Sequence, residues 1–326
     1  MVWKIHKVMT SLGYKQSQGD HTLFIKHSVS RGVTILLVYV DDIIVIGDDK
    51  KEQQVLSQCL AMELEIKTLG RLKYFLGIEV AHSKKGIFIS QQKHVTDLLK
   101  ETGKTSCKPT STPVDPNIKL GSADEDMLVD KEIYQRLVGS LIYLSHTRPD
   151  IAFVVSLVSQ FMHRPKEAHL QAAFRIVQYL KGTPRRGILF KWNKSVSLEA
   201  YMNADYAGSI VDRRSTIGYY TFLGGNLVTW KGKKQSVVTR SSAKIEFRAM
   251  ALGICELLWL EIILEDLKIR WDEPMRLYCD NKSAIIIAHN PVQYDRTKHI
   301  EVDRHFIKEK LDYGMICQNH VAHCVF

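Results

Sequence analysis

The sequence predicts a multidomain chain of mixed α+β and α/β class, on three observations. Its 326 residues exceed one typical domain and suit two or three. The apolar patterning runs from strand-like blocks, through a long helical region, to strands followed by helices. A stretch at 105–127 carrying Pro109, Pro113, Pro116 and Gly121 reads as a linker between the first two regions. Hydrophobic residues at 45% beside 25% charged residues supply a globular core and exclude a disordered chain.

Each element follows from local pattern. Thr22-Leu-Phe-Ile-Lys26 and Val33-Thr-Ile-Leu-Leu-Val-Tyr-Val40 are apolar, rich in β-branched residues and joined by turn residues, so they predict a hairpin. Ile43-Ile-Val-Ile46 predicts a further strand, which puts Asp41 and Asp42 at a tight turn. Val55, Leu56, Cys59, Leu60 and Leu64 fall at helical spacing within 50–65. A second hairpin is predicted from Tyr74–Val80 and Gly86–Ser90, then a helix at 91–101. The region 130–181 is helical, with Pro165 near a helix start and Gly182 at its end. Strands are predicted near 187–192, 197–204, 216–223 and 226–230, and a long helix at 241–267. A short strand, Met275-Arg-Leu-Tyr-Cys279, precedes helices at 281–289 and 300–313.

The formal charge of +10 favours a polyanionic partner, because Lys or Arg that neutralises a phosphate releases counterions. Six cysteines with no CxxC pair argue against a disulfide scaffold and fit a reducing compartment. Cys317, His320, His323 and Cys324 are zinc-type residues, but a short tail collects such residues by chance. No secretory signal opens the chain, and charge interrupts the longest apolar runs before they could span a bilayer. The expectation is a soluble intracellular protein, cytoplasmic or nuclear, with no membrane partner.

Two groups of acids carry the chemistry. Asp41 and Asp42 repel each other and lose hydration beside apolar strands unless they share a cation. Mg²⁺ would resolve that conflict, although an isolated pair reads more simply as a solvated turn. Asp205, Glu246 and Asp280 come from a strand end, a helix start and another strand end. Each alone reads as a surface acid, and together they suit a metal site.

The words around these acids add a resemblance that covers nearly the whole chain. Leu37-Val-Tyr-Val-Asp-Asp42 resembles the YVDD box of reverse transcriptases. Asp20-His-Thr-Leu-Phe24, Leu69-Gly70, Tyr74-Phe-Leu-Gly-Ile-Glu79, Ser90-Gln91, Ser111-Thr-Pro113, Tyr134-Gln-Arg-Leu-Val-Gly-Ser140, Thr147-Arg-Pro-Asp150 and Tyr179-Leu-Lys-Gly-Thr183 follow in order. So do Asn203-Ala-Asp-Tyr-Ala-Gly208, Arg213-Arg-Ser-Thr216, Trp230-Lys-Gly-Lys-Lys-Gln235, Glu246-Phe-Arg-Ala249, Tyr278-Cys-Asp-Asn281 and Arg296-Thr-Lys-His-Ile300. The series resembles the Pol polyprotein of copia-type LTR retrotransposons.

That resemblance implies a partial reverse-transcriptase palm and thumb at 1–104, a linker and helical connection at 105–183, a ribonuclease H-like α/β domain at 184–316 and a divergent tail at 317–326. It implies that Asp41 and Asp42 bind a polymerase metal, and that Asp205, Glu246 and Asp280 hold two Mg²⁺ (or Mn²⁺) ions for catalysis. The implied partner is an RNA–DNA hybrid or other nucleic acid. Arg213, Arg214, Lys231, Lys233, Lys234 and Arg240 are expected to contact phosphates, and His299 to assist. Asn203, Tyr206 and Lys244 depart from the family pattern without removing a candidate ligand. After Ile316 the family's final strand, helix and fourth carboxylate are expected to be missing, leaving apolar surface exposed. The resulting expectation is no DNA synthesis by this chain and an impaired ribonuclease H activity. The alternative is a non-catalytic nucleic-acid-binding remnant or a decayed transposon gene product.

Overall fold

The computed structural model describes residues 2–28, 32–40, 42–64, 67, 69–115, 120–121, 127–193, 195–209, 211–239, 241–289 and 298–321. The chain divides into two compact units, the first comprising Met1–Phe75 with Leu258–Asp272 and the second Leu76–Leu257 with Glu273–Phe326.

The first unit is an antiparallel sheet with helices on one face. It contains α1 (Val2–Ser11), β1 (Lys15–Gln16), β2 (Leu23–His27), β3 (Val33–Tyr39), β4 (Asp42–Gly47), α2 (Lys50–Leu64) and β5 (Tyr74–Phe75). Strand order β1-β2-β3-β4 realises the predicted hairpin and the strand after it. Period-2 alternation turns Thr34, Leu36 and Val38 inward. Leu36 and Val38 join Ile5, Met9, Phe24, Leu56 and Leu60 in one core; of the helically spaced residues in 50–65, Leu56 and Leu60 face the sheet, and Val55 is exposed. Ser17 Oγ donates to Asp266 Oδ2 at 2.6 Å and Trp259 Nε1 to the Gly19 carbonyl at 2.8 Å, which binds the segment Leu258–Asp272 into this unit.

The second unit begins with β6 (Ile78–Ser83), β7 (Gly86–Ser90), α3 (Gln92–Glu101), α4 (Lys131–Leu144), α5 (Pro149–Ser159), α6 (Glu167–Gly182) and β8 (Ile188–Lys191). The predicted 130–181 region is thus three helices, and Gly182 ends the last of them. Their apolar faces meet around Tyr134, Val138, Leu141, Ile151, Val158 and Ile176. The predicted strand Tyr74–Val80 is broken at Leu76 and Gly77, both at positive φ (48° and 77°), and the hairpin proper starts at Ile78. Strand β8 pairs with β7, Ile89 opposite Ile188, instead of joining the strands that follow it.

Those strands are β9 (Leu198–Asp205), β10 (Thr216–Leu223) and β11 (Asn226–Lys234), followed by α7 (Ser242–Asp266), β12 (Met275–Cys279), α8 (Lys282–His289), α9 (Lys298–Asp312) and β13 (Ile316–His320). The sheet order is β11-β10-β9-β12-β13, with β9–β12 and β12–β13 parallel and the other pairs antiparallel. This is the mixed α/β domain expected from the sequence. One expectation is corrected: residues 316–320 form the final strand, Ile316 opposite Met275 and His320 opposite Cys279. Met275, Leu277 and Cys279 repeat apolar side chains at period 2, and β12 supplies a complete free edge for the tail to pair with. On β13, Cys317 and His320 lie three residues apart and therefore on opposite faces, which separates them as ligands.

Candidate metal centre

The centre lies where α7 starts above the C-terminal ends of β9 and β12. Gly253 of α7 has so little room that an added Cβ would sit 2.5 Å from Met202 Sδ and 3.7 Å from a Leu277 methyl. Helix α7 therefore packs close on the sheet face that carries Met202, Leu277 and, two residues on, Cys279. This brings Glu246 down onto the strand ends. Its Oε1 accepts the Ala204 N–H at 2.9 Å, while its Oε2 is buried with no hydrogen-bond partner among the described residues.

Among the described residues, Glu246, Cys279 and Asp280 bring one donor atom each within 4.8 Å of one another. Glu246 is only 5% exposed. Burial pushes its carboxyl up to about 7; the Ala204 N–H opposes this and the charge of Asp280 adds to it. A buried carboxylate with an unused oxygen beside a second carboxylate is costly, and a divalent cation removes that cost. The donor set therefore fits a metal ion.

Asp205 stands apart from this trio. It ends β9 opposite Thr216, which also faces Lys234, so strand alternation puts all three on the face away from α7. Its carboxylate rests against Gly208, where a Cβ would fall 1.7 Å from Oδ2. Burial raises its pKa above the usual carboxylate value. The backbone nevertheless places Asp205 next to Ala204, which Glu246 holds.

Among the basic residues, Lys234 Nζ lies 3.0 Å from Asp212 Oδ1 and donates to Ser209 Oγ at 3.0 Å, and Arg214 Nε lies 3.6 Å from Asp212 Oδ2. Burial alone would raise the Asp212 carboxyl, but bonds from Ser209 and Lys234 override it and hold it at about 2. Arg213, Lys231 and Lys233 are exposed. Arg240 lies outside the described residues, and so does the side chain of His299. In the first unit Asp42 opens β4 opposite Tyr39. Val40 sits at φ 47°, an uncommon conformation for a β-branched residue, and Asp41 lies outside the described residues.

Residues 1–116 match the family described as "Reverse transcriptase (RNA-dependent DNA polymerase)". The Retrovirus-related Pol polyprotein from transposon RE1 of Arabidopsis thaliana is 39% identical over 98% of this chain and 22% of its own length. A transposon Ty5-1 protein of Saccharomyces cerevisiae is 31% identical over 79% of this chain and 85% of its own. The chain belongs to the copia-type retrotransposon Pol family. It spans about a fifth of the length of the Pol polyproteins it matches. A foamy viral protease–reverse transcriptase, solved in complex with dsDNA, shares the fold at a TM-score of 0.50 and 12% identity, over 88% of this chain and 54% of that one. No helix among the described residues of this Pol segment is long and apolar enough to cross a membrane.

Two features of the Pol segment escaped sequence reasoning. Cys279 was legible only as the neighbour of Asp280 in its motif. The other is a buried clasp that explains several non-catalytic family words. Arg148, 1% exposed, grips Asp150 through two hydrogen bonds of 2.8 Å. It also donates to the Thr183 carbonyl at 3.0 Å and to Thr183 Oγ1 at 2.7 Å. Tyr179 OH donates to Asp150 Oδ2 at 2.7 Å, and Thr147 Oγ1 to Gln91 Oε1 at 2.8 Å. The words at 90–91, 147–150 and 179–183 are thus one structural node.

Proposed function

We propose that the second unit is a divalent-cation-dependent nuclease centre for the RNA strand of RNA–DNA hybrids. Glu246, Asp280 and Asp205 are its carboxylates. The observation that carries this reading is the buried, unpartnered Oε2 of Glu246 beside Asp280. When bound, Mg²⁺ or Mn²⁺ supplies activation of a water and neutralisation of the leaving oxygen. The chain's own residues do the rest. Ala204 N–H fixes Glu246 so that one oxygen points at the strand ends. Glu246, whose carboxyl burial raises to about 7, would hold the cation in its deprotonated form. Lys231, Lys233 and Arg213 lie exposed where they can hold phosphates, which orients a hybrid by backbone geometry and not by sequence.

The test is cleavage of a labelled RNA–DNA hybrid with Mg²⁺ or Mn²⁺, beside Asp280→Asn. Cleavage by the parent and at least about 100-fold less by the variant is expected. Equal rates would sink the reading. A second reading, hybrid binding without cleavage, is favoured by the separation of Asp205 from the other two carboxylates. It predicts salt-sensitive binding that survives Asp280→Asn. Asp41 and Asp42 are proposed as the metal-binding turn of the polymerase in the longer Pol protein.

A further inference from the structure

The sulfur of Cys279 sits among the donors of the candidate centre, and Mg²⁺ has no use for it. Magnesium takes oxygen ligands in octahedral geometry, whereas thiolate selects zinc and its relatives. The three donor atoms of Glu246, Cys279 and Asp280 lie within 4.8 Å of one another. Around a tetrahedral zinc ion, with Zn–S near 2.3 Å and Zn–O near 2.1 Å, such atoms stand about 3.4–3.6 Å apart. Closure by at most about 1.4 Å at any pair is within the reach of side-chain rotation. The backbone beneath Cys279 is held, because β12 is paired on both sides, with Met202 and His320 flanking Cys279.

The sulfur is buried at the foot of the centre and has polar neighbours. The Asn281 N–H donates to Cys279 Sγ at 3.4 Å, the thiol reaches the Asn281 carbonyl at 3.9 Å, and metal binding would displace the thiol proton. Glu246 contributes the second ligand through Oε2, which is buried and has no hydrogen-bond partner among the described residues. Asp280 contributes the third. Three protein ligands leave the fourth tetrahedral position open for water or a phosphate oxygen.

We propose that Glu246, Cys279 and Asp280 form a mixed carboxylate–thiolate site that binds Zn²⁺ in preference to Mg²⁺. The inference rests on the nuclease reading for its two carboxylates and adds a different cation chemistry to them. In consequence Zn²⁺ competes with Mg²⁺ at this centre and holds it in a tetrahedral geometry unsuited to two-metal cleavage.

The experiment titrates the metal-free full chain with Co²⁺, then displaces the cobalt with Zn²⁺. A cobalt–thiolate charge-transfer band is expected at one equivalent, bleached by Zn²⁺, and absent from Cys279→Ser and from Asp280→Asn. The Zn²⁺ over Mg²⁺ preference should fall by at least about 100-fold in Cys279→Ser, more than the loss of an outer-shell partner produces. A second chain guards against misfolding of that variant: Cys59, Cys107, Cys255, Cys317 and Cys324 become serine while Cys279 stays. Retention of the band there supports the site. No band in the parent, a band that persists in Cys279→Ser, or its loss from the chain keeping only Cys279 overturns it. Hybrid cleavage by the parent with Mg²⁺ is scored separately. A band without cleavage removes the nuclease reading and leaves the zinc site, and cleavage without a band does the reverse.

Discussion

At the residue scale, the buried acids set the pH behaviour of the second unit, and they act in opposite directions. Glu246 has a carboxyl raised to about 7 by burial. Its protonated form is favoured in the fold, so its contribution is fully present below the unfolded value near 4.3 and is lost as pH rises through about 7. Glu246→Gln removes that loss. The variant is expected to be more stable than the parent by ~2 kcal/mol at pH 8 without divalent ions. Added Mg²⁺ should close the gap by stabilising the parent alone. Thermal melts at pH 5 and pH 8 check this, and equal differences at both would contradict it. Asp150 behaves the other way. Burial would raise its carboxyl, but Arg148, with Tyr179 and Arg186, overrides burial and holds it below its usual value. Its contribution is present above the unfolded value near 3.9 and fades as pH falls through the folded one. Asp150→Ala strands the guanidinium of Arg148 in the core and is expected to cost about 3–5 kcal/mol at neutral pH by urea unfolding. A cost under about 1 kcal/mol would mean that Arg148 finds other partners.

At the element scale, the centre depends on how closely α7 lies on the sheet. Gly253 permits that approach, with Met202 and Leu277 directly beneath it. Gly253→Leu is expected to destabilise the second unit by about 2 kcal/mol through overpacking. It should also weaken metal binding, because lifting α7 carries Glu246 away from Asp280. A urea melt and a metal titration on the same sample test both halves. If stability falls while metal affinity holds, α7 does not set the site geometry. In the first unit, antiparallel pairing brings Tyr39 opposite Asp42, and Val40 after β3 takes positive φ. Strain of this kind persists where the flanking strands over-determine the turn.

At the scale of the whole molecule, the +10 charge bears on the proposed binding of nucleic acid. Affinity for an RNA–DNA hybrid should fall linearly with salt on logarithmic axes. Lys231→Ala and Lys233→Ala should each reduce the slope by about one, with little dependence on sequence. Lys234→Ala should change the slope less, since Lys234 is already committed to Asp212 and Ser209. Filter binding across 50–300 mM salt, about the range where counterion release dominates, distinguishes these outcomes. A slope unchanged in all three variants would place the nucleic-acid surface elsewhere.

By itself the sequence determined the type and order of most elements from Leu23 to Asp312, the family, and the carboxylates worth testing. Those features are local. The period of apolar residues reports strand or helix, and a motif such as Tyr278-Cys279-Asp280-Asn281 is contiguous. Only the tertiary structure decided which elements pair and which side chains meet. Strand Ile188–Lys191 joined β7 across a long helical insertion, and Ile316–His320 took the edge of β12 although its composition looked like a stray tail. The joining of Arg148 to Asp150, Tyr179 and Thr183, and of Cys279 to Glu246, likewise depends on contacts distant in sequence. Local periodicity constrains one segment's faces, whereas pairing and burial depend on what the rest of the chain presents to them.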